Sequence, residues 1–375
     1  MRPLLALVRK DITISRRSPL FLAITVLVPL VFVGLYGLLV KVSATSPVVV
    51  AQEGAGPHSD RMMQVLSEMS SVDGAFFEIR TADPEEARRL FDDGSVGAIL
   101  TIPRDFDNRI DNARPVSLSL VVYNINSDAT KNFQLRAEDA VRRFAEGMPG
   151  VRLAQVEETA VFREDMRITT YLGTGLLVFA VLYASMVNAG TLVAREWEER
   201  TAKPLVLSPV GDSSFVLGKW LAALIQTLIS LTFVIIGLAW LLKYPVARLG
   251  WASILALLAL FGYGAAFGAL LGVLLRRSLP MIPICVVLAV THFFVSGYES
   301  YLRGFAHDGG VEWLWRLTQW APMAALTDGI RFEVSGIGTR TLDWAALGWT
   351  LLGATGVTVM AVVRMRRALS FSQGQ

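Results

Sequence analysis

Six stretches of the chain are apolar across a membrane's width and carry no Asp, Glu, Lys or Arg: residues 19–40, 168–194, 220–242, 249–275, 278–298 and 344–363. Roughly 20 such residues make a helix that crosses the hydrocarbon of a bilayer. The helices of a soluble protein keep a polar face toward water, and these stretches have none. The pattern predicts an α-helical multi-pass membrane protein with six transmembrane helices. The first run precedes a small-residue step, Val42-Ser43-Ala44, that resembles a signal cleavage site. Its apolar core exceeds the about 7–15 residues of a signal peptide, so it reads as a retained helix over 19–41.

Between the first and second runs the rhythm changes. "PVVVAQ", "FFEIR", "VGAILTIP" and "VSLSLVVYN" are short strand-like runs, the last partly alternating. "DPEEARRLFDDG" reads as a helix, with an Asp cap, Pro at its first position, Glu in its first turn and Gly94 at its end. Residues 127–165 read as helical with a break near Gly147-Met148-Pro149-Gly150. The order strand–helix–strand–helix–strand–strand–helix predicts an α/β domain over 42–167, inserted between helices 1 and 2. Its one histidine, His58, has no Cys or second His near it, and Asp92 and Asp93 fall in a turn. Neither metal-ligand spacing nor a catalytic set is visible there, and the acidic side chains read as solvated surface.

Charge changes the picture by giving it a direction. Residues 44–166 hold 13 basic and 21 acidic side chains, net −8, against 22 and 11, net +11, in the rest of the chain. Arg2, Arg9, Lys10, Arg16 and Arg17 precede the first run, Arg276 and Arg277 separate the fourth from the fifth, and Arg364, Arg366 and Arg367 follow the last. With six spans these lie on one side, which the positive-inside rule makes cytoplasmic. Residues 44–166 are then extracytoplasmic, and a cytoplasmic tail covers 367–375. Residues 1–18 read as an interfacial amphipathic helix: Leu4, Leu5, Val8 and Ile12 at helical spacing, with Arg2, Arg9 and Arg16 on another face toward anionic headgroups. The lone cysteine, Cys285, lies in an apolar run and reads as a core residue.

The most polar stretch of the second half is "REWEERTAKPLVLSPVGDSSFVLGKW", residues 195–220. "REWEERTAKP" reads as a short helix of its own, with Glu196, Glu198 and Glu199 early and Lys203 late, an order that suits a helix dipole. "GDSSFVLGK" is no phosphate-binding loop, because six residues separate its glycines and Trp220 follows its lysine. ATP hydrolysis, if it drives this chain, belongs to another subunit.

Glu196, Glu198, Thr201, Leu205-Val206, Ser208-Pro209-Val210 and Leu217-Gly218-Lys219 together resemble the signature of ABC-2 type exporter permeases. The layout of a basic amphipathic start, one span, a large outer domain and five further spans resembles the long-ectodomain branch of that family, as does "LFDDGSVGAILTIPRDFDNRI". The resemblance implies a coupling helix at 195–206, docked in a groove of a cytoplasmic ABC ATPase. Glu196, Glu198, Glu199, Thr201, Leu205, Ser208 and Pro209 are its implied coupling residues. It further implies two ATPase copies that bind the ATP and Mg, no cofactor in this chain, and a second permease copy as homodimer or heterodimer in the plasma (inner) membrane. Membrane lipids are expected neighbours and nucleic acid is not. The family usually has Gly where Arg200 stands, often Leu and Glu at Ala202 and Lys203, and seldom Pro204.

Polar residues inside the runs are few. Asn188, His292, Ser296 and Glu299 are candidates for a cargo pathway, the last three within one helical face. Gln226 reads as an interhelical hydrogen-bonding group. Gly264, Gly268 and Gly272, spaced by four, invite a close helix contact with this chain or with a second copy. Trp313, Trp315 and Trp320 suit an interfacial belt or a re-entrant helix pair. The reading is an exporter subunit for an amphipathic or hydrophobic cargo such as a drug, lipid or lipopeptide. The alternative is a non-transporting scaffold or sensor whose outer domain binds a ligand. An ion-coupled carrier is disfavoured by the missing intramembrane carboxylates.

Overall fold

The computed structural model describes residues 2–17, 19–44, 46–54, 56–71, 74–81, 84–92, 96, 98–122, 128–146, 148, 166–202, 204, 212–297, 313, 316, 321–336 and 342–370. They divide into two compact units, residues 38–165 and the remainder. In chain order the first helices are α1 (Arg2–Arg17) and α2 (Leu20–Ala44), the latter with Pro29 inside it.

The unit over 38–165 is an α/β sandwich. Its elements are β1 (Ser46–Gln52), α3 (Pro57–Glu68), β2 (Ser70–Ser71), β3 (Gly74–Ala75), β4 (Phe77–Thr81), α4 (Pro84–Asp92), β5 (Ala98–Ile102), α5 (Phe106–Asp111), β6 (Ser119–Val122) and α6 (Asp128–Glu146). The sheet runs β4-β1-β5-β6, parallel except for β6 against β5, while β2 and β3 form a separate two-residue ladder. Side chains alternate across β1. Val48 and Val50 join Met62, Leu66, Phe133 and Phe144, so that α3 and α6 cover one face. Val49 and Ile99 meet Ala87 and Phe91, so that α4 covers the other. Coverage of both faces explains why "PVVVAQ" is continuously apolar, as central parallel strands are.

The predicted strands stand where expected, and the short helix α5 and the β2–β3 ladder are additions. α5 carries Asp107, whose carboxylate accepts from the backbone N–H of His58 at 2.6 Å and of Ser59 at 3.3 Å, and from the Ser59 hydroxyl. The N-cap of α3 is Gly56, which has no side chain to offer, so a residue 49 positions from His58 caps the helix instead. Burial works against the charge on Asp107, but the Ser59 hydroxyl and the two N–H groups outweigh it and hold the carboxyl below its ordinary value. His58 pairs with Asp111 at 3.1 Å. Among the described residues no group of His, Cys, Asp and Glu could hold a metal ion. The expected helix over 127–165 is described only as α6, and residues 149–165 lie outside the described residues.

The helical unit continues with α7 (Ile168–Glu198), α8 (Asp212–Leu241), α9 (Trp251–Leu275), α10 (Met281–Gly297), α11 (Pro322–Ser335) and α12 (Trp344–Ser370). Five described helices are long and apolar enough to cross a membrane: α2 through Leu38, α7, α8 from Val216, α9, and α12 to Ala368. The stretch expected as a sixth span, 278–298, is helical only from Met281. Pro283 stands within its first turn and Pro280 just before it. Its 17 described residues reach ~25 Å at a rise of ~1.5 Å each, and residues 298–312 beyond them lie outside the described residues.

α7 is the axis of this unit and is buried along its entire apolar window. α8, α9, α10 and α11 all pack on it. The glycine row of α9 faces α7. A Cβ on Gly268 would overlap the Met186 carbonyl oxygen, and one on Gly264 would overlap the Ser185 hydroxyl. One on Gly272 would meet the Gly190 backbone. Small residues thus let two backbones of the same chain approach, which answers where that row points.

Candidate functional site

At one end of the helical unit α7, α8 and α1 meet through charge. Glu196 is 1% exposed, Lys219 3% and Asp11 1%. Lys219 Nζ donates to Glu196 Oε1 at 2.5 Å and to Asp11 Oδ1 at 2.8 Å. Lys10 Nζ donates to both Glu196 oxygens at 2.9 Å, and the Thr201 hydroxyl adds a further bond to Oε2. Asp11 Oδ2 is buried without a hydrogen-bond partner among the described residues. Burial accordingly pushes the Asp11 carboxyl above its ordinary value, with Lys219 pulling the other way.

Sequence explains the assembly. Leu7, Asp11 and Ser15 recur at four-residue spacing and share one face of α1. Leu7 packs on Gly218, whose missing side chain lets α1 lie close. Ser15 accepts from Gln226 Nε2 at 2.8 Å, and farther on Thr25 and Ser230 hydroxyls meet at 2.8 Å. Leu7 and Val8 are buried, while Leu5 is 62% exposed.

The expected coupling helix at 195–206 is corrected at its start. α7 runs unbroken to Glu198, so Glu196 and Glu198 close a long helix instead of opening a short one. A helix C-terminus disfavours carboxylates, and the ammonium groups of Lys10 and Lys219 offset that. The helix ends in a Schellman turn. Arg200 N–H bonds the Trp197 carbonyl at 3.2 Å, Thr201 N–H bonds the Glu196 carbonyl at 2.9 Å, and Arg200 sits at φ +57°. That left-handed backbone is the physical reason a glycine suits this position.

Glu196 is therefore held inside the chain and Glu198 is engaged too. Glu198 accepts from the Ser278 N–H and hydroxyl, both at 2.8 Å, just before α10 begins. Arg276 lies 4.6 Å over the Trp197 ring. Glu199 is exposed and Thr201 partly so. Leu205, Ser208 and Pro209 lie outside the described residues.

Of the pathway candidates, Asn188 is fully buried in α7 and donates to the Thr227 hydroxyl of α8 at 3.1 Å. His292 Nδ1 meets the Leu288 carbonyl at 2.6 Å, which can only accept, so Nδ1 carries the proton. Nε2 lies 3.3 Å from the Tyr263 hydroxyl. Ser296 lies on α10 with its side chain outside the described set, and Glu299 lies outside it altogether. Gln226 is an interhelical hydrogen-bonding group, as expected. Trp313 is exposed; Trp315 and Trp320 lie outside the described residues.

The sequence reading missed the other end. Arg331 in α11 is 2% exposed, its guanidinium 3.6 Å over the Tyr171 ring and bonded to Asp328 at 2.8 Å. Glu333 accepts from the Ser253 N–H at 2.7 Å and so caps α9. The signal was a charged pair at i, i+3 spacing, Asp328 and Arg331, with Glu333 two residues on, between apolar residues.

A buried α7 packed by apolar helices, with five described helices in all long and apolar enough to cross a membrane, makes this a helical multi-pass membrane protein. The chain belongs to the ABC-2 family of transporter proteins, whose profile matches residues 19–363. Over 370 residues it is 22% identical to a protein named "Probable multidrug ABC transporter permease YbhR" in Escherichia coli (strain K12), covering 96% of this chain and 97% of the relative. The same holds for the protein of that name in Escherichia coli O157:H7.

Proposed function

We propose that this chain is the membrane subunit of an ATP-driven exporter that moves an amphipathic or hydrophobic cargo out of the cell. ATP and Mg are bound by a separate cytoplasmic ATPase present in two copies, each facing one of two permease chains. The observation that carries the reading is the Glu196–Lys219–Asp11–Lys10 cluster: it ties the turn at 199–201, inside the expected coupling segment at 195–206, to both α1 and α8. A push on that turn reaches two other helices through short ionic contacts. The name of the Escherichia coli relatives supports a drug-like cargo. In this reading α10 crosses as the sixth span, both termini and the 195–219 turn are cytoplasmic, and residues 44–166 are an extracytoplasmic domain.

The test has two parts. After replacement of Cys285, single cysteines at 92 and 200 are labelled with a membrane-impermeant maleimide. Labelling of 92 in intact cells and of 200 only after permeabilisation is expected, and the reverse overturns the topology. The permease is then co-purified with the ATPase encoded beside it, and drug-stimulated hydrolysis is measured in liposomes. No stoichiometric complex, or hydrolysis blind to every hydrophobic compound tried, overturns the exporter reading.

A further inference from the structure

α1 lies along α8 and runs the same way. Leu7 packs on Gly218, Asp11 pairs with Lys219, and Ser15 bonds Gln226. The line continues into α2, where Thr25 meets Ser230 and Leu30 packs on Gly237. Gly218, Gln226 and Ser230 share one four-residue row of α8 with Ala222, which is fully buried. An interfacial amphipathic helix lies in the plane of the membrane. A helix laid along a spanning helix instead dips toward the bilayer centre.

Contacts between helices give the depth. Glu196 pairs with Lys219, and Val193 packs with Val273 and Met365, so these ends of α7, α8, α9 and α12 are level. There Arg195, Lys219, Arg276 and Arg364 bound the uncharged runs. Gln226 is seven residues past Lys219 into the uncharged run of α8, ~10 Å at ~1.5 Å per residue. Arg16 and Arg17 follow Ser15 directly and are exposed. α1 thus carries two cations to a depth where the other helices keep apolar side chains.

Asp11, the one acid of α1, is taken by Lys219. Among the described residues no carboxylate pairs with Arg9, Arg16 or Arg17. Arg195 adds a further cation, its guanidinium 5.0 Å over the ring of Phe21 in the first turn of α2. The dipole of α1 favours cations in its last turn, which explains the residue type but not the depth. A bare guanidinium in hydrocarbon is costly, and the cost falls when the headgroup layer bends in to meet it. The Arg16 and Arg17 side chains lean toward the N-terminus of α1, back toward that layer. A phosphate offers a guanidinium fork two oxygens at once. Past the elbow, Leu20, Leu27 and Val31 are exposed along one face of α2, an apolar track beside the cations.

We propose that the elbow between α1 and α2 is a phospholipid site. The phosphate of an anionic lipid is drawn inward to meet the Arg16 and Arg17 guanidinium groups beside Arg195, and an acyl chain follows Leu20, Leu27 and Val31. The proposal needs α2 and α8 to span the membrane and does not depend on the exporter reading.

Two measurements on the full-length permease test it. Nitroxide labels are placed at Ala6→Cys and Thr13→Cys, exposed positions seven residues apart on one face of α1, after replacement of Cys285. In bilayers containing phosphatidylglycerol, collision with oxygen and with a water-soluble nickel complex should place residue 13 ~10 Å deeper than residue 6. Equal depths mean a helix flat on the surface and overturn the proposal. Phosphatidylglycerol is then titrated into the permease in neutral detergent and counted on the intact protein by native mass spectrometry, with phosphatidylcholine as the zwitterionic arm. Phosphatidylglycerol should bind more tightly and saturably. Replacing Arg16 and Arg17 together by Gln should weaken it about thirty-fold, about five-fold for each basic residue, at an unaltered melting temperature. Replacing Arg277 and Arg364 by Gln removes as much exposed charge and should leave the affinity unchanged. If the Arg16–Arg17 double variant does not fold, Arg17→Gln alone should show the five-fold loss. Equal affinity for the two lipids, an equal loss in both double variants, or displacement of the lipid by inorganic phosphate overturns the proposal.

Discussion

Glu196→Gln separates two physical accounts of the same carboxylate. If Glu196 served as an exposed charge for a partner, its loss would cost about 0–1 kcal/mol and only in the partner's presence. The structure places it elsewhere: 1% exposed, with two ammonium groups and a hydroxyl on its two oxygens. Removing one member of a buried ion pair costs about 3–5 kcal/mol, because the remaining charge stays desolvated. The low end applies here. Lys10 is 31% exposed and can turn toward water or headgroups, and Asp11 remains beside Lys219. About 3 kcal/mol is expected, a factor of roughly 10² in a local opening equilibrium at 1.36 kcal/mol per decade. Hydrogen exchange on the purified permease, without ATPase, reads this directly. Amides of α1 and of the first turns of α8 should exchange about a hundred-fold faster, while those in the middle of α7 should not change. Replacing Glu196, Lys219 and Asp11 together by apolar residues should cost less than Glu196→Gln, since Asp11 would otherwise lose its Lys219 partner and the triple change leaves no stranded buried charge. Wild-type protection of α1 in Glu196→Gln would refute the buried-hub account and return Glu196 to the partner-facing role.

Arg200→Gly should raise the melting temperature, because a non-glycine residue at φ +57° carries about 1–2 kcal/mol of backbone cost; an unchanged or lower value would contradict the Schellman turn. Glu198→Ala should loosen the start of α10 by about 1–2 kcal/mol through loss of its bonds to Ser278, seen as faster exchange from 278 onward. Gly268→Val should destabilise by about 1–3 kcal/mol or prevent accumulation, as its side chain meets the Met186 carbonyl; equal yield and melting would show that α7 and α9 are not in contact there. Asp107→Asn should weaken the start of α3 by about 1 kcal/mol at neutral pH. Because the folded carboxyl titrates below its ordinary 3.8, its contribution is present above that value and is lost as pH falls through the folded one. Exchange at His58 and Ser59 should therefore converge between wild type and variant only in strong acid.

Legibility followed length scale. The long apolar runs and the strands of the α/β unit could be read because each depends on a local period, and both appear close to their expected bounds. The start of α10 was misjudged because composition continues through Ser278-Leu279-Pro280 while the backbone does not. The coupling segment was misread for the opposite reason. "REWEERTAKP" satisfies a local helix rule by itself, and only the tertiary pairing with Lys10 and Lys219 shows that its carboxylates close α7. A partner 186 residues away in sequence leaves no periodic trace. Asp11 carried a usable signal: one acid among five basic residues, on the face of Leu7 and Ser15 and opposite a glycine–lysine pair in α8. Arg331 carried one too, since a cation within an apolar helix needs a stated partner, and Asp328 stands one turn before it. Both are buried charges that the sequence reading did not single out. A residue's charge fixes what it must find, and burial decides whether the partner lies in solvent or in another helix. For this chain Glu196, Glu198, Asp11 and Arg331 all found it within the chain. Among the described residues of the 195–206 segment, Glu196 is engaged inside the chain, while Glu198, Glu199 and Arg200 remain exposed at the turn that these contacts hold in place.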